Sequence, residues 1–147
     1  LRAVTEEMNT VRTKLPSVKT LKLDSCKVLT TSGFADILNM CGGSLVELSA
    51  EGCFSIERAF ISSPHLVRCA LSGCPALQVA RISSASCREF VARACKSLTE
   101  VRFESGTYDL GTFDVRNSGT LKRVIGVRRH RVRNLDVDGC GSSLEFI

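Results

Sequence analysis

Leu45-Val46-Glu47-Leu48-Ser49-Ala50-Glu51-Gly52-Cys53 places apolar residues at its first, fourth and sixth positions and a thiol at its ninth. The same frame recurs along the chain. It reads Val18, Leu21, Leu23, Cys26 before this stretch, then Leu66, Cys69, Leu71, Cys74, and Leu77, Ala80, Ile82, Ala85 after it. It continues as Leu98, Val101, Phe103, Gly106 and ends as Val132, Leu135, Val137, Cys140, while a weaker copy at Leu121, Val124, Gly126 lacks its third apolar residue. Successive first positions lie 27, 21, 11, 21, 23 and 11 residues apart. A strand that is kept while its spacing varies is the signature of a solenoid.

Alternation within the frame explains the strand. The fourth and sixth positions point to one face, and the third, fifth and seventh to the other, because side chains alternate along an extended chain. Two long steps hold segments with helical spacing. Thr31 to Met40 sets Phe34, Ile37 and Leu38, with Cys41 beyond, on one face and has Thr31 or Ser32 to cap it. Ser86 to Cys95 sets Phe90, Val91 and Ala94 inward, and Ser86 with Glu89 forms a capping-box pattern. The two 11-residue steps leave room for a turn or a single 3₁₀ turn, so the solenoid is expected to bend there.

The chain has 147 residues, 44% of them apolar, which is enough for one domain with a core. The net charge of +5 is too mild to single out nucleic acid or an anionic membrane. No apolar run is long enough to span a bilayer, and the sequence begins at Leu1 without a signal-peptide pattern. We read residues 1–147 as a single domain cut from a longer repeat array, with partial repeats at both ends. Leu1 to Lys14 reads as the helix of a preceding repeat and Leu144 to Ile147 as the start of another. Seven Phe, one Tyr and no Trp weigh against base stacking and against a large cofactor pocket.

These residues resemble the leucine-rich repeat in its cysteine-containing subtype. The carrying stretches are Leu45 to Cys53, Cys26-Lys27-Val28-Leu29-Thr30-Thr31-Ser32-Gly33-Phe34, and Cys74-Pro75-Ala76-Leu77. The resemblance spans Val18 to Cys140 and implies an α/β solenoid: a curved parallel sheet with helices or irregular turns on the convex side. It also implies that Cys26, Cys53, Cys74 and Cys140 point inward at the turn after each strand, with Cys41 and Cys95 just before the next. Free structural thiols imply a reducing compartment, cytoplasm or nucleus.

No Cys-x-x-Cys pair is present, and His65 and His130 are the two histidines available to a zinc site or a thiol nucleophile. Neither sits in a catalytic order, and the glycine-rich stretches match no phosphate loop, so we expect no enzyme, no cofactor and no metal. Arg128, Arg129, Arg131 and Arg133 form the sharpest charge cluster, in a stretch from 121 to 147 with six basic and three acidic residues. It reads either as a solvated loop or as a contact for phosphate or an acidic partner.

The strand-exposed positions offer a mixed ionic surface for a protein partner: Lys22, Glu47, Arg68, Arg81, Arg102, Glu104, Arg123 and Asp136. The competing reading is that pairs such as Arg81 with Glu100 or Glu104 only solubilise the sheet. The resemblance implies a non-catalytic protein-interaction module, most like the substrate-binding repeats of F-box receptors in ubiquitin ligases. The alternative is a structural subunit of a large assembly, ciliary or cytoskeletal or a ribonucleoprotein particle, with nucleic-acid contact through residues 128–133. Partners are expected to be proteins within a multi-subunit complex, with no membrane association.

Overall fold

A computed structural model describes residues 18–104 and 109–147. The chain winds as a parallel β-solenoid. β1 (Thr20–Lys22) is followed by α1 (Thr31–Cys41), β2 (Glu47–Ser49), β3 (Arg58–Ser62), β4 (Arg68–Ala70), β5 (Val79–Ser83) and β6 (Glu89–Val91). Then come β7 (Glu100–Phe103), β8 (Leu110–Asp114), β9 (Arg123–Ile125), a 3₁₀ turn (Arg129–Arg131), β10 (Val132–Asp136) and β11 (Glu145–Phe146). The strands form two sheets, one ordered β1-β2-β4-β6-β8-β10 and the other β11-β9-β7-β5-β3. Every pairing is parallel, and each turn of the chain after β1 and α1 contributes one strand to each sheet.

The solenoid with parallel pairing is as the repeat predicts, but its period is read differently. Along the six-stranded sheet, Thr20, Glu47, Arg68, Glu89, Thr112 and Asn134 stand in one register. Along the other, Arg58, Val79, Glu100, Arg123 and Glu145 do. Each 11-residue step is therefore half a turn, crossing from β4 to β5 and from β9 to β10, and no bend is needed to explain it. The side expected to carry helices or irregular turns carries the second sheet from β3 onward.

One expected helix forms. Phe34, Ile37 and Cys41 of α1 are buried, and the cap is Thr30, whose Oγ1 accepts from the Gly33 N–H at 3.1 Å. α1 takes the place of a second-sheet strand in its turn and packs on β3. The helix expected over 86–95 is instead the strand β6, with Phe90 and Ala92 alternating into the core. Its capping box does not form, because the Glu89 carboxylate pairs with Arg68 on β4 at 3.1 Å. Paired neighbours on both sides of β6 outweigh a local helical pattern. The expected helix over 1–14 and the frame position Gly106 lie outside the described residues.

The two sheets enclose one core. Ala50 and Ala92 belong to turns whose other strand supplies Ile61 and Phe103. Phe90 and Phe113 stack with centroids 5.6 Å apart, and Phe103 meets Phe90 edge-on at 5.8 Å. Gly126, the gap in the weak repeat copy, has φ +92° and donates its N–H to the Ile147 carbonyl at 3.1 Å. A Cβ there would run into the Phe103 carbonyl, so glycine replaces the expected apolar residue where two turns press together.

The corner after each strand of the six-stranded sheet is built the same way throughout. Ser25, Gly52, Gly73, Ala94, Asn117 and Gly139 all have positive φ, between 54° and 77°. Immediately after them stand Cys26, Cys53, Cys74, Cys95, Ser118 and Cys140. Cys53 donates to the Leu23 carbonyl at 3.1 Å, Cys74 to Ala50 at 3.1 Å, Cys95 to Leu71 at 3.2 Å and Cys140 to Val115 at 3.2 Å. Ser118 takes the same place and donates to Ala92 at 2.8 Å. Cys26, Cys53, Cys74 and Cys140 thus stand at the turn as expected, and Cys95, which precedes β7 as expected, stands in this column as well.

Two substitutions test these features in thermal denaturation followed by circular dichroism. Gly126→Ala is expected to destabilise the fold by about 2 kcal/mol or more, and an unchanged midpoint would refute the close approach. Ser118→Ala, which strands a buried carbonyl and the Cys95 N–H, is expected to cost about 1–3 kcal/mol, with Ser118→Cys costing less.

Candidate functional site

The eight expected interaction residues divide between the two sheets and so do not form one surface. Lys22, Glu47, Arg68 and Asp136 lie on the six-stranded sheet, while Arg81, Arg102 and Arg123 lie on the five-stranded sheet with Glu104 just after β7. Arg68 is therefore not in one band with Arg81, Arg102 and Arg123. The cause is again the half-turn, which at each 11-residue step moves the repeat copies to the opposite sheet, so that those at Leu77, Leu98 and Leu121 face away from the rest.

On the five-stranded sheet the side chains interlock across rungs. Arg81 meets Glu104 at 3.3 Å, and Glu100 receives both Arg102 and Arg123 at 3.3 Å. The expected pairing of Arg81 with a neighbouring carboxylate therefore forms, with Glu104. The Arg81 guanidinium also lies over the Phe60 ring, 4.6 Å from its centroid. Phe60 is 48% exposed although it sits within a strand, and Arg58 on the same strand is exposed as well. The result is a face of half-exposed arginines with an aromatic ring at its edge, a composition enriched at protein contacts.

The six-stranded sheet presents a different surface. At its outward strand positions Lys22, Arg68, Arg93 and Arg116 stand with Asp24, Glu47, Glu51, Glu89, Asp114, Asp136 and Asp138, while Lys19, Arg88 and Arg133 line one edge. Asp114, 8% exposed at its side chain, is held by Arg93 at 2.7 Å and by Arg116 at 3.0 Å, and Arg116 reaches on to Asp136 at 3.2 Å. Burial pushes the Asp114 carboxyl up, but hydrogen bonds from Arg116 and Arg93 more than offset this and hold it below its ordinary value. On the five-stranded face, by contrast, Arg58, Arg81, Arg102 and Arg123 stand with Glu100, Glu104 and Glu145.

The basic run does not act as a unit. Arg131 pairs with Asp109 at 3.1 Å, Arg129 lies over the Phe146 ring at 5.3 Å, and Arg128 and Arg133 are exposed. The ion pair is more than half exposed at both ends and contributes at most about 1 kcal/mol.

All eight cysteines are free. Burial pushes the Cys69 and Cys95 thiols up, and the Cys87 thiol up to about 11. Cys87 and Cys95 donate to backbone carbonyls, at 3.8 and 3.2 Å. His65 borders a shallow depression with Lys19, Ser44, Val46, Val67 and Ser86, and no cysteine lines it. Among the described residues no group of three or more His, Cys, Asp or Glu is arranged to hold a metal. Nor is any described helix long and apolar enough to cross a membrane.

Sequence reasoning missed Arg58, Phe60, Arg93, Asp114 and Arg116. Cys87, Phe90, Ala92, Cys95 satisfies the repeat frame in full, and would have revealed β6 and with it Arg93. Leu110, Phe113, Val115, Ser118 satisfies it once serine is accepted in place of cysteine, which exposes Asp114 and Arg116.

Asp114→Asn is expected to cost about 1–2 kcal/mol at neutral pH, since it removes the charge that Arg93 and Arg116 share. Because the folded carboxyl titrates below the unfolded one, the wild-type advantage is full above about pH 5 and fades as pH falls through the folded value. Urea unfolding from pH 7 to pH 3 measures it, and an advantage that grows on acidification would refute the assignment. In comparisons with known proteins, no family model, no curated protein and no solved structure matches this chain.

Proposed function

We propose that this chain is a non-catalytic protein-interaction module whose contact surface is the outer face of the five-stranded sheet. The observation that supports it is Phe60, half-exposed on the edge strand β3 beneath Arg81, with Arg58 on the same strand and Arg102 and Arg123 further across the sheet. An exposed ring on a packed sheet adds nothing to the core. Stacked under a guanidinium, it offers a partner an apolar ring at the end of a row of arginines at little cost in side-chain entropy. Glu100 and Glu104 fix the arginines in place, so a partner meets charges that are already ordered.

The finer reading rests on the resemblance of the repeat frame to cysteine-containing leucine-rich repeats. On that reading the module captures substrates for a ubiquitin ligase, and its partner presents carboxylates around an apolar side chain.

The test is affinity capture with the full-length protein and quantitative mass spectrometry, comparing wild type with Phe60→Asp, with the double reversal Arg81→Glu and Arg102→Glu, and with Lys22→Glu on the opposite sheet. Specific partners are expected to be lost about tenfold or more in the first two and retained in the third. Retention in all three would overturn the choice of face. Recovery of a cullin adaptor supports the ligase reading, and a stoichiometric set of structural subunits without one replaces it.

A further inference from the structure

Arg88, Gly111 and Arg133 occupy the same corner position on three consecutive strands of the six-stranded sheet. Both the Gly111 and Thr112 N–H groups donate to the Arg88 carbonyl, at 2.8 and 2.9 Å, which sets Gly111 beside Arg88. On the other side, the registers Val132 with Leu110 and Asn134 with Thr112 set Arg133 beside Gly111. The remaining turns carry Lys19, Val46 and Val67 at this position, so Gly111 is the one rung among the described residues that offers no side chain. A shallow depression results, lined by Arg88, Asp109, Leu110, Gly111 and Arg133.

We infer that this depression is a clamp for a phosphate group on a phosphorylated, acidic protein segment. Two strand spacings separate the arginines, about 10 Å, which lets two guanidiniums close from opposite sides on one phosphate over the glycine. Arg88 is partly ordered already, its Nη1 donating to the Cys87 carbonyl at 3.2 Å, with a longer contact to Ala85 at 3.5 Å. Its remaining N–H groups are left for an acceptor. The carboxylate in the depression, Asp109, is neutralised by Arg131 at 3.1 Å. Arg133 is exposed and forms no ion pair among the described residues.

A peptide fits better than nucleic acid. The clamp spans three rungs, too short for a track of phosphates, and the ring of Phe146 beside the basic run is covered by Arg129 rather than open to a base. The site lies away from the five-stranded face, so it stands or falls separately from the reading above.

Fluorescence anisotropy with the whole chain tests it, using a labelled glutamate-rich peptide with two phosphoserines, the same peptide unphosphorylated, and an oligouridylate of equal charge. The phosphopeptide is expected to bind about tenfold more tightly than either control. Arg88→Ser and Arg133→Ser should each weaken it about tenfold, Arg128→Ser, with the same charge loss, less than about twofold, and Phe60→Asp not at all. Circular dichroism confirms that each variant is folded. Equal losses in Arg128→Ser and Arg133→Ser, equal affinity for the unphosphorylated peptide, or tighter binding of the oligouridylate would each overturn the clamp.

Discussion

The winding of this molecule depends on the hydrogen bonds that Cys53, Cys74, Cys95, Ser118 and Cys140 make from their corners to the turn before. Parallel strands in register leave their corners with carbonyls that no strand neighbour can reach, and a buried carbonyl without a donor is costly. Cysteine at the inner side of a left-handed turn supplies a small apolar body and a weak donor together. Ser118 shows which of these properties is indispensable, since it keeps the donor and abandons the sulfur. The opposite corners use serine in the same way, with Ser63 bonded to the Leu45 carbonyl at 2.7 Å and Ser84 to Leu66 at 3.0 Å.

From this constraint follows the distribution of chemistry over the surface. Because the corners stack, residues at a given frame position stack too, and each sheet becomes a set of columns whose neighbours are about 5 Å apart. Charges pair between turns, within a column as Arg68 does with Glu89 or diagonally as Arg93 does with Asp114, more often than along one strand. The features that depart from column order are then the informative ones. Phe60 places a ring where its column holds arginine, and Gly111 leaves a gap where its column holds side chains.

The strand, its inward residues and the role of the thiols were legible in the sequence because period-two alternation and a small residue at a tight corner have direct physical causes. The second sheet was not legible. Half-turns of 10 to 12 residues carry the same frame as whole ones, so Leu66 to Cys74 and Leu77 to Ala85 look like successive repeats although they face opposite ways. Ser86 to Cys95 was misleading for a different reason: an amphipathic pattern and a capping box are local signals, and β6 is decided by partners 21 and 23 residues away. The surface residues were found where their rung was found, Arg81 and Arg102 among them, and lost where it was not, as with Arg58 and Asp114.

The unequal charge of the two faces has a dynamic consequence. Carboxylates lead seven to four at the outward positions of one sheet and arginines lead four to three on the other, with Lys19, Arg88 and Arg133 along one edge, and the sheets are separated by only about 10 Å of core. The chain thus carries a transverse electric moment fixed by the winding itself, which no single rotamer can cancel. A charged body approaching within a Debye length experiences a torque before contact, turning the arginine face toward an acidic surface and the carboxylate face toward a basic one. The orientation of encounter is therefore set by the architecture, and it weakens as ionic strength shortens the range of that torque.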